Sequence, residues 1–260
     1  MHKAGSMVLH RVLKDLCDLN NIRYLSEHQA KPDKLPVRKI FEGRKNYIAR
    51  RHGCFGPVRF FLPCRGLDRA NLLLHLRDPR DVLTSMFFSY TLMHQGQVPA
   101  NTGIRRQVAE AGIDRYVLDM SSDAFLRYEG DYGTGGSYKQ HIGNVLERYE
   151  RYLREVVGQP NAVIVFYEEM VTDFPNWLRK VVARFELDNT EETFRFVLSR
   201  HEEAVKPGTE NPWLHKRKVT PGDYKEKLQP ETIAELNRRF ASVLTRLQAL
   251  QSQSAVSART

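Results

Sequence analysis

The sequence is 260 residues long and 41% hydrophobic, with 40 basic against 31 acidic side chains and a net charge of +9; that suffices for one sizeable core and favours an acidic partner. No apolar run reaches the ~20 residues of a membrane span and no apolar leader opens the chain, so the expectation is a cytoplasmic protein without a membrane segment. Three widely spaced cysteines (Cys17, Cys54, Cys64) and nine histidines without His-Glu-x-x-His set aside a disulfide frame, a zinc site and a metal enzyme.

The first stretch, His2-Lys3-Ala4-Gly5-Ser6-Met7, reads as a tight loop running into a helix. Val8, Leu9, Val12, Leu13 and Leu16 recur at helical spacing and form a core face. Gly5 allows close backbone approach, the unpaired N–H groups of the first turn and the helix dipole favour an anion, and Lys3 adds a mobile positive charge. The place suits a phosphate, although so short a motif taken alone reads rather as a helix behind a basic cap.

Ile22–Leu25, Asn46–Arg50 and Asn71–Leu76 are strand candidates, the last a nearly continuous apolar run fit for burial on both faces. Polar 31–39, with Pro32 and Pro36, connects the first two, and the second ends at Arg51-His52-Gly53. Strands alternating with helices give the rhythm of a parallel α/β sheet. After the third strand comes Arg77-Asp78-Pro79-Arg80-Asp81, with Asp78 as N-cap and Pro79 at the first helical position. Arg77 thus stands at the carboxyl end of a strand, where open α/β sheets bind ligands, and Ser85 lies about two turns into the helix. Arg77 could clamp a phosphate with Ser85 assisting; a salt bridge to Asp81 is the plainer alternative.

Residues 95–135 carry many glycines and read as an irregular excursion, a lid or binding loop, with short helices around Asp114–Asp119 and Ser122–Tyr128. Its Gly-Thr-Gly-Gly run is no nucleotide loop, since no Gly-Lys-Ser/Thr follows. A long helix is expected from about Tyr138 to Val157, then a buried strand Ala162–Phe166 ending at Tyr167-Glu168-Glu169-Met170. Helices follow through Trp177–Phe185 and from Thr190, then basic, turn-rich Lys216–Lys225, then a last amphipathic helix with Ile233, Leu236, Phe240, Leu244 and Leu247. One domain over residues 1–250 with a flexible tail at 251–260 is the expected organisation.

Four of these pieces, in this order, resemble the cytosolic-type sulfotransferases, which use the donor 3′-phosphoadenosine 5′-phosphosulfate (PAPS). The His2–Met7 loop is similar to the family's loop around the 5′ phosphate, which implies binding roles for Lys3, Ala4, Gly5, Ser6 and Met7. Arg77–Ser85 is similar to its arginine-x-proline-x-aspartate-x-x-x-serine segment, implying that Arg77 and Ser85 hold the 3′ phosphate. Tyr167–Met170 resembles a tyrosine-glutamate-aspartate-methionine segment with the tyrosine by the adenine. Residues Arg217–Tyr224 resemble the family's arginine-lysine-glycine segment over the 3′ phosphate, with Arg217, Lys218 and Val219 in binding roles. Gly136-Ser137-Tyr138-x-x-His141 is similar to a stretch near the acceptor pocket, implying that Tyr138 and His141 line it. The resemblance makes His52 the general base and Lys3 the stabiliser of the leaving group, in a transfer of a sulfuryl group to a hydroxyl or amine.

The implied fold is a P-loop-like parallel sheet flanked by helices, with PAPS as donor substrate, no metal, and a small-molecule or sugar acceptor. Neither nucleic acid nor membrane is an expected partner, and oligomeric state cannot be read. Ser6-Met7-Val8 departs from threonine-threonine-tryptophan, and Val219 stands where the family has glycine. The family's strand before the first loop has no counterpart here, so the first central strand is expected to be missing and the domain incomplete at its start, poorly stable and with a mobile Lys3 loop; the alternative is that the strands ending at His52 and Arg77 close directly on each other in a contracted variant. A kinase-like enzyme would need a Gly-x-x-x-x-Gly-Lys-Ser/Thr loop. A catalytically degenerate relative that only binds the adenosine bisphosphate or another polyanion is the alternative.

Overall fold

The computed structural model describes residues 3–30, 34–35, 37–41, 52–61, 63, 66–91, 102–128, 142–208 and 218–257. In chain order its elements begin with α1 (Ser6–Leu19), β1 (Tyr24–Leu25), α2 (Val37–Phe41), β2 (Cys54–Phe55), β3 (Leu72–Leu76), α3 (Pro79–Thr91) and α4 (Thr102–Met120). They continue with α5 (Val145–Glu155), β4 (Ala162–Phe166), α6 (Tyr167–Thr172), α7 (Phe174–Val182), α8 (Thr190–Val205), α9 (Tyr224–Lys227), α10 (Pro230–Arg239) and α11 (Ala241–Ser257). This is the mixed α/β architecture that the alternation of strand and helix predicts. The chain packs as two compact units: Met1–Leu76 with Glu155–Lys206, and Arg77–Arg154 with Pro207–Thr260.

The first unit is built on a helix-and-strand core. Leu9, Val12, Leu13, Leu16 and Cys17 bury one face of α1. They meet Val165 of β4, Trp177, Leu178, Val181 and Val182 of α7, and Phe194 and Val197 of α8 in one apolar cluster. Trp177 is wholly buried, and each such side chain contributes about 1.5–3 kcal/mol of burial. β3 and β4 pair in parallel from Leu72↔Ala162 to Leu76↔Phe166. Asn161 fixes the entry to this pair, its side-chain amide donating to the carbonyls of Leu67 (2.6 Å) and Ala70 (2.7 Å). β1 pairs in parallel with β2, Tyr24↔Cys54 and Leu25↔Phe55. The expected strand Asn46–Arg50 lies outside the described residues, and so does its pairing with β3. β2 begins just after it, and His52 stands exposed, two residues ahead of Cys54.

The second unit is helical among the described residues. Val82, Leu83 and Met86 of α3 are buried, as are Val108, Tyr116, Val117 and Met120 of α4. The Phe87 and Tyr116 rings lie 5.7 Å apart, and Tyr116 and Tyr128 5.2 Å apart. Asp78 caps α3 by accepting the Arg80 N–H at 2.9 Å, as the sequence predicts.

Three sequence readings need correction. The excursion expected to be irregular contains α4, whose nineteen residues are two helical segments meeting at Gly112, where the backbone is non-helical (φ 73, ψ 165). The helix expected from Tyr138 is interrupted at Gly143 (φ 79), where a Cβ would fall 2.1 Å from Glu147 Oε2. There Asn144 and Glu147 form a reciprocal cap, Asn144 Oδ1 accepting the Glu147 N–H at 3.1 Å and Glu147 Oε2 accepting the Asn144 N–H at 2.7 Å. The last helix is two, α10 and α11 meeting at buried Phe240.

Candidate active site

In the first unit, Lys3 (φ 59) and Gly5 (φ 78) both adopt the left-handed conformation and turn the loop into α1. Gly5 O accepts the N–H groups of Val8 (2.9 Å) and Leu9 (3.1 Å), so the amides of Ser6 and Met7 head the helix ahead of its first internal bond. Ala4 is fully buried. A Cβ on Gly5 would stand 2.8 Å from Met170 Cε and 3.1 Å from Tyr167 Cδ2. The phosphate-loop candidate and the Tyr167–Met170 segment, some 160 residues apart in sequence, therefore touch, and the left-handed φ of Gly5 favours a glycine there. Tyr167 itself is buried.

In the second unit, Arg77 and Asp81 form a buried pair, Nη2 to Oδ2 at 3.4 Å with side chains 6% and 0% exposed. Asp81 also accepts two backbone amides from the basic, turn-rich segment, Gly222 N at 2.7 Å and Tyr224 N at 3.1 Å. The salt bridge set aside as the plainer alternative is thus present, within a larger arrangement that joins the two segments assigned to the 3′ phosphate. Arg80 grips Asp78 through Nε (3.0 Å) and Nη2 (2.6 Å), reaches Asn237 at 2.6 Å, and lies 4.2 Å from the Tyr224 ring centroid. Burial works against the Arg80 charge, but the bond to Asp78 and the charges of Asp78, Tyr224 and Asp81 raise its pKa. Burial raises the Tyr224 pKa, opposed by Arg80. Lys218 meets Glu226 at 2.6 Å and Asp223 at 3.5 Å, and the bond to Glu226 raises its pKa against a burial cost. Val219 is buried. Ser85 is partly exposed and falls on the face of α3 that carries Asp81. Arg217, Tyr138 and His141 lie outside the described residues.

A polar cluster that the sequence reading did not single out lies at the carboxyl end of β1. His10 Nδ1 lies 2.8 Å from the Tyr24 hydroxyl and 3.2 Å from Ser26 Oγ, and the His10 and His28 rings are 5.2 Å apart. Burial, then the charges of Lys14 and Arg11, lower the His10 pKa. The only signal for it in sequence is a histidine one turn into the loop-headed helix.

Residues 60–248 match the family described as the sulfotransferase domain, well over half of the chain. The chain belongs to the sulfotransferase family. The match begins after the Lys3 loop and His52 and takes in the Arg77, Tyr167 and Lys218 segments. A mouse sulfotransferase, SULT7A1 complexed with PAP, is similar in fold, with a TM-score of 0.55 and 18% identity over 99% of this chain and 86% of that one. A comparison with curated proteins returned no match. Among the described residues of this sulfotransferase no helix is long and apolar enough to cross a membrane, and no group of three His, Cys, Asp or Glu side chains could hold a metal ion.

Proposed function

We propose that this sulfotransferase takes PAPS as donor and passes its sulfuryl group to a hydroxyl or amine of a small-molecule or sugar acceptor in the cytoplasm, without a metal. The observation that carries the donor reading is the buried Asp81 carboxylate joining Arg77 to the Lys218–Tyr224 segment, because a 3′ phosphate is the feature that would need both. The mouse enzyme of similar fold is complexed with PAP, in keeping with such a donor.

The Lys3–Met7 loop takes the 5′ phosphate through the amides heading α1. Arg77 offers a planar fork to the 3′ phosphate, with Ser85, Arg217, Lys218 and the Val219 backbone around it. Tyr167 lies by the adenine, and Tyr138 and His141 border the acceptor. His52 accepts the acceptor's proton as its oxygen or nitrogen forms the new bond to sulfur, and Lys3 neutralises the phosphate oxygen released as the old sulfur–oxygen bond breaks. Chemistry of this kind asks for in-line positioning and charge stabilisation more than covalent help.

Turnover of labelled PAPS against phenols, alcohols, amines and sugars tests the reaction. Alongside it, Arg77→Ala should weaken binding of adenosine 3′,5′-bisphosphate by about tenfold or more while adenosine 5′-phosphate binding changes little. Equal weakening of both ligands removes Arg77 from the 3′ phosphate.

A further inference from the structure

A carboxylate with no solvent contact must be satisfied by donors around it, or its burial costs several kcal/mol. The Asp81 side chain is 0% exposed, and its donors come from two places. Arg77 Nη2, four residues earlier and just past the end of β3, approaches Oδ2 at 3.4 Å. Gly222 N donates to Oδ2 at 2.7 Å and Tyr224 N to Oδ1 at 3.1 Å, from positions 141 and 143 residues further along the chain. Gly222 turns through φ 84 at this point, which a residue with a side chain adopts only at a cost.

We infer that Asp81 is the positioning residue for the donor's 3′ phosphate: one carboxylate orients the Arg77 guanidinium and seats the Lys218–Tyr224 segment. The inference rests on the PAPS reading above and adds to it the group that makes two distant segments act as one receptor. Asp81 is an anion and makes no favourable contact with a phosphate itself; its effect passes through Arg77 and the backbone it holds. The neighbouring contacts serve the same end. Arg80 lies against the Tyr224 ring and is itself held by Asp78, while Lys218 is braced by Asp223 and Glu226. An arginine fork recognises a phosphate only in the right plane, so orientation is worth as much as charge.

The consequence is a specific loss. Asp81→Asn keeps the shape and one carbonyl acceptor, but turns an NH2 group toward a backbone N–H and gives up the attraction to Arg77. The wild-type protein should bind adenosine 3′,5′-bisphosphate more tightly than adenosine 5′-phosphate. In Asp81→Asn that preference should shrink by about 10- to 100-fold, the size expected for hydrogen bonds to a charged group, entirely through weaker bisphosphate binding. The donor KM should rise by a larger factor than kcat falls. A purely structural carboxylate would instead lower the folded fraction and leave the ratio of the two affinities unchanged, which overturns the inference. A wild-type protein without preference for the bisphosphate refutes the donor reading itself, a result distinct from an unchanged ratio in the variant. Amide hydrogen exchange needs no variant: Gly222 and Tyr224 N–H groups should exchange at least about tenfold more slowly than unprotected amides in the unliganded protein. Exchange at the unprotected rate overturns the assignment even if Asp81→Asn does not fold.

Discussion

His52 is exposed and stands before β2, so water reaches the side chain proposed to take the acceptor's proton. Replacing this exposed side chain by alanine should leave the fold intact, so its effect falls on the chemistry. His52→Ala should cut turnover by roughly 10²- to 10⁴-fold with adenosine 3′,5′-bisphosphate affinity within about twofold of wild type. An alanine variant as active as the parent hands the proton to another group. At this scale the sequence was informative about pairs that local spacing brings together. Arg77, just past the end of β3, and Asp81, in the first turn of α3, are four residues apart, and their salt bridge could be read from that spacing. The bonds from Gly222 and Tyr224 to the same carboxylate could not, because no periodic pattern relates residues more than 140 positions apart.

Among the elements, the loop-headed α1 depends most on one residue. Gly5 holds φ 78, and its missing side chain leaves room for Met170 and Tyr167. Gly5→Ala combines a left-handed backbone cost with displacement of the Met170 methyl group, which can move more easily than the Tyr167 ring. A loss of about 1–3 kcal/mol follows, read as a lower midpoint in thermal unfolding; an unchanged midpoint would show that the loop is not held as described. Strong periods made α1, α3, β3 and β4 legible beforehand. α4 was obscured by Gly112, which interrupts the apolar stripe of Val108, Tyr116, Val117 and Met120. β2 is only two residues long and follows Arg-His-Gly, so nothing in its composition announces a strand.

At the scale of the whole molecule, the His10 cluster contributes to acid stability. Its lowered pKa means the folded chain binds that proton less tightly than the unfolded one. Stability contributed by neutral His10 is therefore fully present above its ordinary pKa of 6.5 and is lost as pH falls from there through its lowered folded-state pKa. Tyr24, Ser26 and His28 face it, with Lys14 and Arg11 on its own helix. Nearby in sequence, Glu27 acts in the opposite sense: burial raises its pKa, against Arg59 and Lys34, so stability is lost as pH rises above 4.5. Between these values the two oppose each other. His10→Gln should lose less stability than wild type between pH 7.5 and pH 5 in denaturant titrations; parallel losses would clear His10 of any part in it. The parallel pairing of β3 with β4 has its own consequence for how the protein is made. Leu76 leaves the ribosome 90 residues before its partner Phe166, an interval of about 5–18 s at ordinary rates of translation. Through that interval β3 has no β4 and α1 has none of the Trp177 helix to cover its apolar face, so the nascent chain carries a sticky half-core past the exit tunnel. Chaperone demand should peak there, during synthesis of the middle of the chain.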